Sequence, residues 1–285
     1  MPQPLLELGG SGAPLHIAVA NGFAPETYLP MLESVADRFR VISLPPRPLW
    51  DEPPPPESIR TWGDFADDLL VGLRAHDLRG VIAVGHSLGA LTSLIAASRD
   101  ASRFRALILL DPTLLPRRIT LAAQIMRWLG QSHRAPLARQ ALNRMARFTT
   151  LDEAFAYWRG KRLFHDWSDA ALRNYTESAL RPAPEGGYRL KWSPQWEARL
   201  FSSPYPVGES ILRRVRGKLP ILTIRGATST TLSPAIAARF RAALPEMAYA
   251  EIAGHGHLFP QSAPEQAGRV MGEWLGQLTP KRRDD

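Results

Sequence analysis

The sequence predicts an α/β fold, a doubly wound and mostly parallel sheet with a helical segment inserted between two of its strands. Three observations carry this prediction. Short apolar runs alternate with amphipathic stretches over residues 15–110 and again over 221–278. Such alternation builds strand–helix–strand units whose helices cover both faces of a parallel sheet. Between the two regions, from about Pro112 to Arg216, the alternation stops and the chain reads as helical and rich in aromatic residues.

The elements follow in order. Leu15–Ala20 is a short apolar run ending at Asn21-Gly22 and reads as a buried strand. Glu26–Phe39 carries helical spacing through Tyr28, Leu32, Val35 and Phe39, and Arg40–Leu44 reads as a second strand. Pro45–Pro56 contains seven prolines in twelve residues, which removes too many backbone donors for a regular element. Trp62–His76 is an amphipathic helix, Val81–Val84 a strand, Leu88–Arg99 a helix and Ala106–Leu110 a strand. After the insertion, Ile221–Arg225 and Met247–Ile252 read as strands, and Pro234–Leu244 and Pro264–Leu278 as helices opened by proline. The division predicted is a core over 1–112 and 217–285, with a helical cap over 113–216. The tail Lys281–Asp285 is expected to fray.

Composition narrows the function classes. The chain has no cysteine, which excludes disulfides, thiolate metal sites and a cysteine nucleophile. The start of the chain lacks the positive, then apolar pattern of a secretory leader. Gly80–Ser98 has the length of a membrane span, but three glycines, His86 and three serines mark it as a strand and helix around a turn. The expectation is a soluble cytoplasmic protein, with no membrane partner, as monomer or homodimer. The formal net charge is +8, and Thr113–Arg216 alone holds 18 Lys/Arg against 8 Asp/Glu. A basic surface attracts anions, yet no nucleic-acid-binding motif accompanies it. No nucleic-acid partner is expected, and the charge reads as a solvated, arginine-rich face.

Gly85-His86-Ser87-Leu88-Gly89 stands between a predicted strand and a predicted helix. In that setting a G-x-S-x-G sequence forms a sharp turn that lifts the serine hydroxyl clear of the carboxyl edge of the sheet. Gly85 and Gly89 avoid clashes that side chains would cause. The helix beginning at Leu88 offers free backbone N–H groups to a developing oxyanion.

With GVIAVGHSLGA around Ser87, ALILLDP around Asp111, LPILTIRG around Gly226 and AGHGHLFPQSAPE near the end, the chain resembles the α/β-hydrolase family. The resemblance implies a nucleophile at Ser87 and a general base on the loop after the last strand. Two histidines lie there, His255 and His257. His257 has Gly256 before it and Pro264 seven residues after it, the spacing seen in similar sequences, and is taken as the base. The family also implies a carboxylate to hold the imidazole. Its usual loop reads Gly226-Ala227-Thr228-Ser229-Thr230-Thr231, and no carboxylate occurs between Ser210 and Pro245. Three readings stand open: Asp111 at the end of the preceding strand supplies the acid, a hydroxyl at Ser229 or Thr230 orients His257 without charge, or catalysis has been lost. Glu251, expected within the last strand, is a further candidate.

The resemblance places the second oxyanion donor on the loop Asn21-Gly22-Phe23, with the N–H of Phe23 paired to that of Leu88 and the Asn21 side chain bracing the loop. It implies an acyl-transfer hydrolase with no cofactor and no metal. The small-molecule substrate is expected to be a hydrophobic or aromatic acyl compound, held under a cap whose Trp128, Trp158, Trp167 and Trp192 either line the pocket or form the cap's own core. Ester cleavage is taken first. A C–C bond hydrolase, a thioesterase or a lactonase of the same fold is the alternative, and a non-catalytic small-ligand-binding protein is the rival of another class.

Overall fold

A computed structural model describes residues 3–115, 117–131, 135–205 and 209–278. Its centre is a seven-stranded sheet in the order β1-β3-β2-β4-β5-β9-β10. The strands are β1 (Leu6–Gly9), β2 (Ala13–Ala18), β3 (Phe39–Ser43), β4 (Val81–His86), β5 (Phe104–Leu110), β9 (Ile221–Gly226) and β10 (Ala248–Ile252). All neighbours run parallel except β1, which pairs antiparallel to β3. The mostly parallel α/β sheet expected from the alternation is therefore present.

Two elements of the main body differ from the sequence reading. The edge strand β1 was not expected: its four residues, LELG, are too few to show a period, and antiparallel pairing to β3 is what makes them a strand. Glu26–Phe39 is not one helix. It divides into a 3₁₀ turn at Pro25–Tyr28, a single α turn α1 (Leu29–Leu32) and a second 3₁₀ turn at Glu33–Val35, and Phe39 already belongs to β3. Pro30 lacks the N–H that a helix continuing from Glu26 would use, and Tyr28, Leu32 and Val35 are buried by packing rather than by one regular helix.

Helices α2 (Gly63–Ala75) and α3 (Leu88–Arg99) cover the sheet, and α3 is buried along nearly its whole length. Its close approach requires glycine: a Cβ on Gly89 would stand 2.1 Å from the Ala18 carbonyl oxygen of β2. Strands β4 and β5 are buried on both faces, so they read as continuous apolar runs.

Between β5 and β9 the chain forms α4 (Arg117–Trp128), α5 (Pro136–Leu142), α6 (Leu151–Arg159), α7 (Asp169–Ala179), α8 (Pro194–Phe201) and α9 (Glu209–Val215). The helices start where local chemistry dictates. Thr150, Ser168 and Ser193 each accept a backbone N–H from the first turn of α6, α7 and α8. The segment is not helical throughout, because β6 (Arg147–Phe148), β8 (Tyr188–Leu190) and β7 (Leu180–Pro182) make a small antiparallel sheet. Its aromatic core, with Trp158, Phe164, Trp167 and Tyr175, meets Phe23 of the main body, whose ring centroid lies 5.3 Å from that of Tyr175. Trp192 is buried as well, whereas Trp128 is 85 % exposed on α4. Further on come α10 (Pro234–Ala243), the turn α11 (Phe259–Ser262) and α12 (Pro264–Leu278). Lys281–Asp285 lies outside the described residues. No helix among the described residues is long and apolar enough to cross a membrane.

Candidate active site

Ser87 stands between β4 and α3 with φ 55° and ψ −111°, a left-handed conformation costly for a residue with a side chain. The turn is held by the Ser87 N–H donating to the Leu110 carbonyl at 2.9 Å. It also needs Gly85, where a Cβ would lie 2.5 Å from the Gly89 carbonyl oxygen. The second residue of this kind is Asp111, at φ 42° just past β5, with its N–H bonded to the Ile224 carbonyl at 2.8 Å. Among the described non-glycine residues only Ser87, Asp111 and Asp77 have positive φ, and two of these three meet at one place.

His257 joins them. Its Nε2 lies 2.9 Å from Ser87 Oγ and its Nδ1 2.6 Å from Asp111 Oδ2. Asp111 is fully buried, and its other oxygen accepts the Gly226 N–H at 3.1 Å. The Ser229 hydroxyl donates to Asp111 Oδ2 at 2.6 Å, while its oxygen accepts the N–H of Thr231 at 3.2 Å. The carboxyl group is thus surrounded by donors, which compensates for its burial.

The other candidates for the orienting group are elsewhere. Ser229 contacts Asp111, not His257, and Thr230 is exposed. Glu251 lies on β10, bonded to Arg225 at 3.0 Å and to the Tyr249 hydroxyl at 2.6 Å. The Tyr249 bond, with Arg225 beside it, holds the Glu251 carboxyl below its ordinary range. Glu251 is committed to buried Arg225 and to Tyr249, away from His257. His255 is also turned away, its Nδ1 bonded to Ser262 Oγ at 2.8 Å.

Thr113 and Tyr28 also belong to the site, although no motif in the sequence marks either as functional. Thr113 Oγ1 is 2.9 Å from Ser87 Oγ. Only the position two residues after Asp111 could have signalled it. Tyr28 belongs to a buried chain of bonds. The Ala20 N–H donates to the Tyr28 oxygen at 3.1 Å, the Tyr28 hydroxyl meets His86 Nδ1 at 2.8 Å, and His86 Nε2 lies 2.9 Å from the His257 carbonyl. Because a carbonyl only accepts, His86 carries its proton on Nε2, and its Nδ1 accepts a hydrogen bond from the Tyr28 hydroxyl. Burial, with His257 beside it, pushes the His86 imidazole well below its ordinary value, so the ring stays neutral. This chain ties the Asn21 loop, the Ser87 turn and the His257 loop together.

The Asn21 loop has less freedom than the sequence suggests. The Phe23 N–H already donates to the Ala20 carbonyl at 3.2 Å, so it would have to be shared with an oxyanion. The Asn21 side chain does brace the loop, donating to the Glu197 carbonyl of α8 at 3.3 Å. Gly22, at φ +83°, faces Arg144 and Glu197, which pair at 2.8 Å, and Arg144 also bonds the Tyr175 hydroxyl. Burial works against the Arg144 charge, yet Tyr175 and Glu197 hold its pKa above the ordinary value.

A family model for the alpha/beta hydrolase fold matches residues 16–261. The chain belongs to the alpha/beta hydrolase family. It is a hydrolase, with this site at the carboxyl edge of the family's sheet. Over 242 residues it is 26 % identical to 2-(acetamidomethylene)succinate hydrolase of Mesorhizobium japonicum, covering 83 % of this chain and 78 % of that protein. A crystal structure of E-2-(acetamidomethylene)succinate hydrolase superposes with TM-score 0.74 at 23 % identity, covering 95 % of this hydrolase and 94 % of that chain. The thioesterase domain from the curacin biosynthetic pathway superposes with TM-score 0.72 at 15 % identity, covering 95 % and 93 %. These likenesses between structures concern the fold.

Proposed function

We propose that this hydrolase cleaves a carboxylic ester or related acyl compound through a Ser87–His257–Asp111 triad and an acyl-enzyme. The observation that carries this reading is His257 standing between Ser87 Oγ at 2.9 Å and Asp111 Oδ2 at 2.6 Å. His257 takes the Ser87 proton at Nε2 as Oγ attacks the carbonyl, and Asp111 holds the proton on Nδ1 and stabilises the imidazolium. The Leu88 N–H, at the start of α3, and the Phe23 N–H receive the oxyanion. His257 then protonates the leaving group and activates the water that releases the acid. The segment between β5 and β9 serves as the cap, and its aromatic cluster around Phe23 favours an apolar acyl group.

The curated relative's name favours a second reading, in which the acyl compound is itself acidic. The basic cap agrees with that. A carboxylate against His257 supports catalysis over a ligand-binding role without chemistry. The test is hydrolysis of a panel of p-nitrophenyl esters by the native protein, Ser87→Ala and Asp111→Asn, each verified as folded. Ser87→Ala is expected to abolish turnover, and Asp111→Asn to lower kcat about 10³–10⁴-fold. An Asp111→Asn variant at native rate would remove Asp111 from the mechanism. Native protein inert on every ester would move the substrate to a C–C bond, thioester or lactone.

A further inference from the structure

The small sheet β6-β8-β7 presents an arrangement that protein stability alone disfavours. Arg189 of β8 is in register with Arg147 of β6 on one side and with Arg181 of β7 on the other. Residues directly opposite in an antiparallel pair share a face, so three guanidinium groups form one row across the sheet. Lys191, two residues beyond Arg189, continues on that side. The opposite face holds Phe148, Leu180, Tyr188 and Leu190 and packs into the apolar interior. Like charges directly opposite one another destabilise a sheet unless something neutralises them.

The described residues supply only part of that neutralisation. Glu185 pairs with Arg147, and Glu26 lies 3.6 Å from Lys191. Neither Arg181 nor Arg189 has an ion-pair partner among the described residues. Their Nε atoms are shielded from solvent and have no hydrogen-bond partner among the described residues. A solvated charged face would leave those donors to water, whereas a shielded, unpaired donor costs free energy. All four cations line one cleft of about 350 Å³, closed by Pro48 and Pro53 of the proline-rich loop and by the start of α8 at Trp196. That volume is within the range of small-molecule sites, about 300–1,000 Å³. The positive end of the α8 dipole opens into the same space.

We propose that this cleft binds a small organic anion carrying two or more negative charges, a phosphate ester or a polycarboxylate, gripped by Arg181 and Arg189. Planar guanidinium forks suit both oxyanions. The ligand would bridge the inserted segment and the proline-rich loop of the main body. This inference is independent of how Ser87 acts.

Isothermal titration with pyrophosphate and with citrate, at 150 mM NaCl, tests it. The native protein is expected to bind at least one of them, and the tighter one identifies the oxyanion. Arg189→Gln and Arg181→Gln are each expected to weaken that binding about tenfold or more. The control Arg79→Gln makes the same charge change at an exposed pair outside the cleft and should leave binding intact. In thermal melts without ligand, Arg189→Gln should unfold at the same or a higher temperature than native, because the like-charge row is relieved. The proposal is overturned if neither anion binds the native protein, or if Arg79→Gln weakens binding as much as the cleft variants do. A ligand-free Arg189→Gln that melts well below native would equally count against it.

Discussion

Ser87 Oγ has two hydrogen-bond partners, and they do different work. His257 Nδ1 faces Asp111, so the ring proton resides there and Nε2 is the acceptor for the serine proton. The Thr113 hydroxyl, 2.9 Å away, is then the donor to Ser87 Oγ. In the mechanism proposed for Ser87, the Thr113 bond strengthens as negative charge grows on that oxygen. Thr113→Val is expected to lower kcat/KM about tenfold, with Thr113→Ser close to native. Inactivation by a fluorophosphonate gives the same comparison without turnover. A Thr113→Val variant labelled at native speed would leave Thr113 with no part in activating the nucleophile. The Ser229 hydroxyl acts one step further out, on Asp111, so the loop without a carboxylate contributes a donor to an acid carried by another strand.

At the level of elements, β2 and β3 hold a second buried histidine outside the site. His16 is 1 % exposed, its Nε2 accepts the Leu44 N–H at 3.0 Å, and its Nδ1 has no partner among the described residues. Burial pushes its pKa down from 6.5 to about 4. The folded form therefore binds its proton less readily than the unfolded chain. The associated stability is fully present above about pH 6.5 and is lost as pH falls toward about 4, a loss of about 3 kcal/mol. His86, also pushed down, acts in the same direction. Urea unfolding at pH 7 and pH 4.5 should show a smaller difference for His16→Gln, whose amide oxygen can still accept the Leu44 N–H. An unchanged difference would locate the acid sensitivity elsewhere. The elements most legible in the sequence were those specified locally. Leu88–Arg99 and Pro264–Leu278 have the predicted bounds, set by the serine turn and by an opening proline. Glu26–Phe39 misled because spacing records which residues are buried, and three successive turns bury the same side chains as a helix.

Across the whole molecule, the inserted segment and the main body meet at the Asn21 loop. Glu197 crosses that junction through its carbonyl, which accepts from Asn21, while its carboxylate pairs with Arg144 inside the inserted segment, and Gly22 rests against the pair. Both side chains of the ion pair are mostly buried. Removing the carboxylate leaves the Arg144 charge uncompensated, so Glu197→Ala is expected to destabilise the fold by about 3 kcal/mol. The hydrolysis proposed above should drop as well, because Gly22 rests against this pair. Chemical denaturation and steady-state kinetics check the two parts separately. Native stability in Glu197→Ala would mean that Arg144 finds another partner or water.

The sequence by itself determined the parallel sheet, the serine turn and the place where the sheet is interrupted. These depend on short-range rules: alternation of apolar runs, the steric demands of a strand-to-helix turn, and helix caps. Only the tertiary structure decided which group faces His257. Asp111, Ser229 and Glu251 were all consistent with the sequence, and Asp111 is 146 residues from His257. Their arrangement follows from β5 lying beside β9 across the whole inserted segment, a pairing that no local pattern encodes. The arginine row on β6, β8 and β7 has the same origin, since strand register brings together charges that are scattered along the chain.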